Sequence, residues 1–325
     1  MSQRNLKNAV VVLTGASSGI GRATAQAFAR EGADLVLAAR HQDALDEVVA
    51  ECESLGARAL AVPTDVTSAQ AVQRLARAAV QTYGGRIDIW INNAGIGAVG
   101  RFTETPVEAH EQVIRTNLMG HLHGAYAVLP YFQRQRAGTL INNISFGAWV
   151  PAPYAVAYSA SKFGLRGMSE ALRAELSDWP DIHVCDVFPS FIDTPGMAHA
   201  GNYTGRALGT GKTAYDPGEV ADAIVSLAKR PHGAVTVGNM ARLARLGHFL
   251  MPGVSRWLGA RATSAYLARA EKTPVTDGNL FEPSLPAHGI YGPGSGPEAH
   301  RGRALVGTVL ATGTALLGLA LSRRR

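Results

Sequence analysis

The sequence predicts an α/β protein with a doubly wound parallel sheet. Three observations predict this fold class. Short apolar runs alternate with helix-like segments over the first 240 residues, and a glycine-rich loop follows the first run. In addition, 46% of the 325 residues are hydrophobic and 17% are charged, which is typical of a globular chain. Regular alternation places helices on both faces of a parallel sheet and a crevice at the carboxyl ends of its strands.

The apolar runs have the length and the β-branched content of buried strands. The first, Ala9 to Leu13, ends at Thr14-Gly15 and is typical of the group. Strands are predicted at 9–13, 34–39, 58–62, 87–91, 139–144, 182–188 and 234–237. Helices are predicted between them, at 19–31, 42–55, 68–83, 106–135, 156–178 and 217–229.

The loop Thr14 to Gly21, TGASSGIG, connects the first strand to the first helix. Its glycines allow a tight turn and a close approach of backbone to a pyrophosphate, and the helix N-terminus offers free N–H groups. A plain structural turn is the alternative, and the strand–loop–helix context argues against it. The residues of this loop predicted to bind a dinucleotide are Gly15, Ser17, Ser18, Gly19, Ile20 and Gly21.

The end of the second strand indicates which dinucleotide binds. A carboxylate there holds the ribose 2′-hydroxyl of NAD, but this sequence has Ala39 followed by Arg40. An arginine pairs with a 2′-phosphate, and Arg22 after the loop adds a second positive charge. The predicted cofactor is therefore NADP(H). The alternative is that Arg40 is an exposed surface charge.

Tyr158 and Lys162 stand four residues apart on a predicted helix and share one face. A neighbouring ammonium lowers the pKa of a phenol, which predicts Tyr158 as a general acid or base. Ser145 lies thirteen residues earlier, at a predicted strand end, where it can donate to a substrate oxygen. Taken singly, each of these residues has an ordinary structural explanation: a packed Tyr, a solvated Lys and a turn Ser.

Together these motifs resemble the short-chain dehydrogenase/reductase family over about residues 7–240. The match rests on TGASSGIG, Asp65-Val66, NNAG at 92–95, Asn117, Ser145 and YSASK at 158–162. The resemblance implies a Rossmann-like, seven-stranded parallel sheet and hydride transfer between NADP(H) and a carbonyl or alcohol. It implies catalytic roles for Asn117, Ser145, Tyr158 and Lys162. It also implies cofactor contacts from Asp65, Val66, Asn93, Ala94, Gly95, Tyr158, Lys162, Pro189 and Thr194.

One departure from the family pattern is Ser190, which follows Pro189 where many members have glycine. Apolar residues near Ser145 predict a lipophilic carbonyl or alcohol as the substrate, with packing or a subunit interface as the alternative. These residues are Phe146, Trp149, Val150, Pro151, Pro153 and Tyr154. The family further implies a homo-oligomer.

The chain is predicted to have four parts: a catalytic domain (1–240), an amphipathic helical extension (241–272), a Pro/Gly-rich linker (273–303) and a transmembrane helix (304–322). The nineteen residues 304–322 carry no charge, and as a helix they would extend about 28 Å. An interfacial or docked helix is the alternative. Leucines and arginines at helical spacing in 240–261 are also compatible with a helix on a membrane surface, and packing of this stripe on its own domain is the alternative. The predicted location is a membrane, with the catalytic domain on its cytoplasmic side.

The charge and cysteine content exclude several classes of protein. Residues 1–239 contain 20 basic and 21 acidic residues, whereas residues 240–325 contain 11 and 4, so the basic excess lies in the tail. Its apolar content favours a membrane over nucleic acid. Cys52 and Cys185 form no metal-binding pattern.

The rival functions are an NADPH-binding redox sensor without turnover, and an epimerase or dehydratase.

Overall fold

The computed structural model describes residues 4–209, 214–283, 289–293 and 296. The strands are β1 (Val10–Thr14), β2 (Asp34–Ala39), β3 (Arg58–Pro63), β4 (Ile89–Asn92), β5 (Ala98–Val99), β6 (Gly138–Asn143), β7 (Ile182–Pro189), β8 (Gly201–Asn202) and β9 (Ala234–Val237). The helices are α1 (Gly19–Arg30), α2 (Gln42–Ser54), α3 (Ala69–Thr82), α4 (Val107–Ile114), α5 (Gly120–Gln135), α6 (Val156–Glu175), α7 (Pro217–Lys229), α8 (Asn239–Leu250) and α9 (Pro252–Arg269).

Seven strands form one parallel sheet in the order β3-β2-β1-β4-β6-β7-β9, which confirms the predicted fold class. The chain winds outward from β1 through β2 to β3 and then returns to place β4 on the other side of β1. The connections that follow β1 and β4 run in opposite directions along the sheet. This reversal leaves a crevice between the carboxyl ends of the two strands. That crevice begins where β1 and β4 end, at Thr14 and Asn92.

Two apolar layers hold the helices on the sheet. Although β1 is apolar throughout, its side chains alternate: Val11 and Leu13 enter one core and Val12 enters the other. The first core packs residues of α1, α2 and α7, and the second packs residues of α3 and α5. A strand buried on both faces explains why the sequence shows a continuous apolar run rather than an alternating one.

Two features of the fold differ from the sequence prediction. The long helix predicted over 106–135 is interrupted by one π-helical turn at Arg115–Met119, so that it becomes α4 and α5. A second, two-stranded sheet pairs β5 with β8 and has no counterpart in the prediction. Its strands have two residues each, too few to show a hydrophobic period.

Described residues of the predicted linker over 273–303 contact the rest of the protein. Residues 271–276 pair with the loop after β8, where the N–H of Asn202 donates to the carbonyl of Thr276 at 2.7 Å and the reverse bond measures 3.0 Å. Farther along, the side chain of Ile290 packs on the first core. Residues 279–283 and 289–293 thus lie against the catalytic domain, and we call them the strap.

Candidate active site

The crevice at the carboxyl ends of the strands forms a cavity of about 800 Å³. It brings together residues that the sequence scatters over about 180 positions, from the glycine loop to Thr194. The predicted site residues that line it are Gly15, Ser17, Ser18, Gly19, Ile20, Gly21, Arg40, Asp65, Val66, Asn93, Ala94, Gly95, Ser145, Tyr158, Lys162, Pro189 and Thr194. Arg22 and Asn117 do not line it.

The glycine loop requires glycine for two separate reasons. Gly15 and Gly19 have φ angles of +67° and +54°, in the left-handed region that side chains disfavour. A Cβ on Gly15 would also lie 2.8 Å from the Cα of Ala94, and one on Gly21 would collide with the carbonyl oxygen of Gly15. The loop therefore lies directly against the backbone that follows β4.

The first turn of α1 offers backbone N–H groups to the crevice. Ser18 is its N-cap residue, but the Ser18 side chain makes no capping hydrogen bond, and the first turn contains no acidic residue. No side chain caps this helix N-terminus, which suits an anionic group such as a pyrophosphate. The N–H of Gly19 donates to the carbonyl of Gly289 at 3.0 Å. Close by, the side-chain oxygen Oδ1 of Asn143 is buried in the crevice wall without a hydrogen-bond partner. These features fit a dinucleotide.

The two arginines predicted to recognise a 2′-phosphate lie in different surroundings. Arg40 lines the crevice, where its Nη2 donates to the carbonyl of Asn279 at 2.7 Å and its Nη1 donates to that of Phe281 at 3.1 Å. Arg22 instead turns towards α2 and forms ion pairs with Glu47 at 3.2 Å and with Glu51. These carboxylates hold the Arg22 guanidinium outside the crevice, so the structure does not bring it together with Arg40.

Ser145 and Tyr158 lie next to each other at the inner end of the crevice. The N–H of Gly147 donates to Ser145 Oγ at 3.0 Å, which leaves the serine proton for another acceptor. Burial raises the pKa of Tyr158 above its usual value, and the neighbouring Ser145 hydroxyl opposes that shift. The expected lowering of this pKa by an ammonium is thus not found, and the phenol is protonated at neutral pH.

Lys162 lies one helical turn beyond Tyr158, with its Nζ 5.5 Å from the centre of the phenol ring. The side chain is buried, and desolvation lowers its pKa from 10.5 to about 7. A buried amine of this kind is protonated in only part of the molecules at neutral pH. Lys162 can therefore accept or release a proton beside Tyr158 under physiological conditions.

Asn117 lies in the π-helical turn, behind the crevice wall. Its Oδ1 accepts from the N–H of Ile96 at 2.8 Å, and its Nδ2 donates to Ser161 Oγ at 3.1 Å. The side chain thus connects the segment after β4 to α6, which carries Tyr158. Extra residues inserted as a π-turn often mark functional positions.

His121 is a further buried residue of this region that sequence reasoning missed. Its ring lies between two backbone carbonyls, with Nδ1 at 2.6 Å from that of Asn117 and Nε2 at 3.0 Å from that of Asn92. Burial lowers the pKa of His121 to about 3, with the charge of Lys162 acting in the same direction. A neutral ring donates to one of these two carbonyls and packs between the π-turn and β4. Its spacing four residues after Asn117 is the only sequence signal for it.

An apolar wall closes the side of the crevice beyond Ser145. Phe146 and Phe191 meet edge to face with ring centres 5.3 Å apart, and Val150 lies beside them. Tyr266 and Leu267 of α9 line the same cavity from the carboxyl-terminal extension. Of the apolar residues predicted around Ser145, three do not line the cavity: Trp149, Pro151 and Tyr154.

Comparison with known proteins agrees with this geometry. Residues 9–203 match the protein family described as short chain dehydrogenase, a range that includes the glycine loop, Ser145, Tyr158 and Lys162. The chain belongs to the short-chain dehydrogenase family. Among the relatives of this dehydrogenase is the oxidoreductase YxnA of Bacillus subtilis (strain 168), which is 35% identical over 248 residues, covering 75% of this chain and 69% of YxnA. This dehydrogenase is an oxidoreductase whose family acts on small molecules.

Two solved structures resemble this dehydrogenase along most of their own length. An alcohol dehydrogenase from the archaeon Thermococcus sibiricus, complexed with 5-hydroxy-NADP, superimposes with a TM-score of 0.63 at 27% identity and covers 70% of this chain and 95% of its own. A metagenomic short-chain oxidoreductase in complex with NADP gives a TM-score of 0.62 at 28% identity, covering 72% and 98%. Both confirm the Rossmann-like fold.

Two other predictions concern metals and membranes. Within the described residues no group of His, Cys, Asp or Glu side chains is arranged to hold a metal ion. No helix among those residues is long and apolar enough to cross a membrane. The transmembrane helix predicted at 304–322 lies outside the part of the chain that the structure describes.

Proposed function

We propose that this dehydrogenase is an NADPH-dependent reductase of lipophilic carbonyl compounds, and that it catalyses the reverse oxidation when the alcohol is in excess. One observation carries the proposal: the Ser145–Tyr158 pair and Lys162 lie together at the inner end of a crevice whose outer end has the features of a dinucleotide site. A bound NADPH supplies the hydride for the carbonyl carbon.

The residues of the chain then supply the proton and the orientation. Ser145 donates a hydrogen bond to the substrate oxygen, since its Oγ already accepts from Gly147 and retains its own proton. Tyr158, protonated at neutral pH, transfers the phenolic proton to that oxygen as the carbonyl becomes an alcohol. The phenolate that remains is stabilised by a protonated Lys162, which can then return a proton to it. Asn117 positions this helix through Ser161.

The preference for NADPH over NADH rests on Arg40. It follows Ala39, which has no carboxylate to accept from a ribose 2′-hydroxyl, and its guanidinium lies in the crevice wall. The two structural neighbours bound to NADP derivatives support this choice of cofactor. The residues proposed to hold the pyrophosphate are those of the glycine loop, with Asp65, Val66 and the Asn93–Gly95 segment at the adenosine and ribose, and Pro189 and Thr194 at the nicotinamide.

The apolar wall of Phe146, Val150, Phe191 and Leu267 supports a lipophilic substrate. A screen of ketones with increasing alkyl length, run beside sugars, tests this: catalytic efficiency is expected to rise with chain length. Preference for small polar sugars contradicts it.

Tyr158→Phe tests the reaction itself and separates it from the redox-sensor alternative. The variant is expected to bind NADPH normally and to lose about 10²- to 10⁴-fold in turnover, the range for general acid catalysis. NADPH binding by the wild type without turnover on any carbonyl would favour the sensor.

A further inference from the structure

The outer surface of the α8–α9 hairpin exposes an unusual amount of apolar area. Phe249 is 83% exposed at the end of α8, and Trp257 is 57% exposed one turn into α9. The set that shares this surface, which we call the apolar ridge, consists of Phe249, Leu250, Met251, Val254, Trp257 and Leu258. Each of these side chains is at least half exposed. Exposed apolar side chains on soluble proteins are normally scattered singly, whereas these six are grouped.

The charged side chains of the hairpin itself are all positive. Between residues 223 and 270 the sequence contains no Asp or Glu, and α8 and α9 together carry five arginines. Arg256 and Arg261 flank Trp257, with the Arg261 guanidinium 5.2 Å from its ring centre. Arg245 differs, because it stacks on Trp149 of the catalytic domain at 3.4 Å. The hairpin is thus attached to the domain on one side and basic on the other.

The two faces of α9 have different neighbours. Val254, Trp257, Leu258 and Arg261 recur at the spacing of one helical face and point outward. Ala262, Thr263, Tyr266 and Leu267 line the active-site crevice from the same helix. The ridge therefore lies on the far side of the helix that forms part of the substrate wall.

We propose that the apolar ridge docks this dehydrogenase on the surface of an anionic lipid bilayer. Trp257 and Phe249 insert among the acyl chains near the headgroups, while Arg256 and Arg261 pair with anionic headgroups. A second copy of the chain is the less favourable occupant, because a two-fold interface on this ridge would bring the hairpin arginines of both copies together, and the hairpin has no acidic residue to pair with them. The proposal does not depend on the proposed reaction, because the test measures no turnover.

The experiment uses the full chain and vesicles of phosphatidylcholine and phosphatidylglycerol whose acyl chains are brominated, which quench tryptophans that enter them. Quenching of one emission component is expected in the wild type, and Trp257→Phe is expected to remove it while flotation with the vesicles persists. Trp90, which is fully buried, serves as an unquenched internal reference. The measured signal is the quenching of Trp257 by the acyl chains. Attachment of another part of the chain to the vesicles therefore does not reproduce it.

Charge is tested in the same assay. Arg256→Glu with Arg261→Glu is expected to reduce quenching at least tenfold in vesicle titrations, as is raising the salt concentration. Tyr126→Glu, at a residue 69% exposed on α5, is the matched control and is expected to leave quenching unchanged. Quenching that survives in Trp257→Phe overturns the proposal. Unquenched Trp257, together with concentration-dependent dimers that Phe249→Glu abolishes, also overturns it in favour of a second copy.

Discussion

Arg40 donates to the carbonyl of Asn279 at 2.7 Å, across 239 residues of sequence. Arg40, the first residue after β2, is thereby held by the strap. The carbonyl of Gly289, also in the strap, accepts from the N–H of Gly19 at 3.0 Å. Both ends of the predicted dinucleotide site, the arginine and the helix N-terminus, are in contact with the same carboxyl-terminal segment. The strap therefore contacts the same guanidinium that we propose to bind a 2′-phosphate.

Arg40→Ala is expected to raise KM for NADPH by roughly ten- to a hundredfold while KM for NADH changes little, because a charge-assisted hydrogen bond contributes about 1.5–3 kcal/mol. Steady-state kinetics with both cofactors measures the change. Arg22→Ala is the matched control, since its guanidinium pairs with Glu47 and Glu51. An equal rise for both cofactors in Arg40→Ala contradicts the assignment.

Gly21→Ala is expected to abolish tight cofactor binding and to destabilise the protein, because a Cβ there collides with the carbonyl oxygen of Gly15. Gly167→Ala, in the exposed middle of α6 with no atom near its Cβ position, is expected to stabilise by about 0.5–1 kcal/mol. Denaturant unfolding and NADPH titration of both variants provide the measurements. Normal NADPH affinity in Gly21→Ala counts against the close-packed loop.

Lys162 is expected to make stability depend on pH. Its pKa is about 7 when folded and near 10.5 when unfolded, so between these values the unfolded chain binds more protons. The free energy of unfolding from this group therefore rises with pH across that window, by up to about 1.4 kcal/mol per pH unit, and falls as pH is lowered towards 7. Denaturant titrations between these limits, with Lys162→Met as the reference, isolate the effect. Parallel curves for the two proteins contradict a depressed pKa.

Trp149→Ala is expected to loosen α8. The indole is stacked against two guanidinium groups, with Arg166 at 3.8 Å and Arg245 at 3.4 Å, and it meets Phe188 edge to face. Losing these contacts is expected to cost about 3 kcal/mol of unfolding free energy. Amide hydrogen exchange should accelerate in α8 first. Trp179→Ala, which removes an indole packed against a different core, should leave the exchange of α8 unchanged relative to the rest of the chain.

The prediction of the sheet succeeded because local patterns are enough for it. The strand Asp34–Ala39 has the predicted bounds, since a buried parallel strand shows a continuous apolar run between a turn and a polar residue. The helical spacing of Tyr158 and Lys162 likewise follows from four residues on α6. Local patterns could not predict how deeply each titratable side chain is buried. Burial raises the pKa of Tyr158 and lowers that of Lys162.

By itself the sequence determined the order along the chain of the seven strands of the main sheet, the glycine loop and the spacing of Ser145, Tyr158 and Lys162, since each depends on local patterns along the chain. Tertiary structure alone decided that Arg40 lines the crevice while Arg22 does not, that the strap (279–283 and 289–293) contacts Arg40 and Gly19, and that α9 lines the crevice. The physical reason is that these outcomes depend on contacts between residues far apart in the chain, and side-chain spacing carries no information about which distant carbonyl or carboxylate will be nearest.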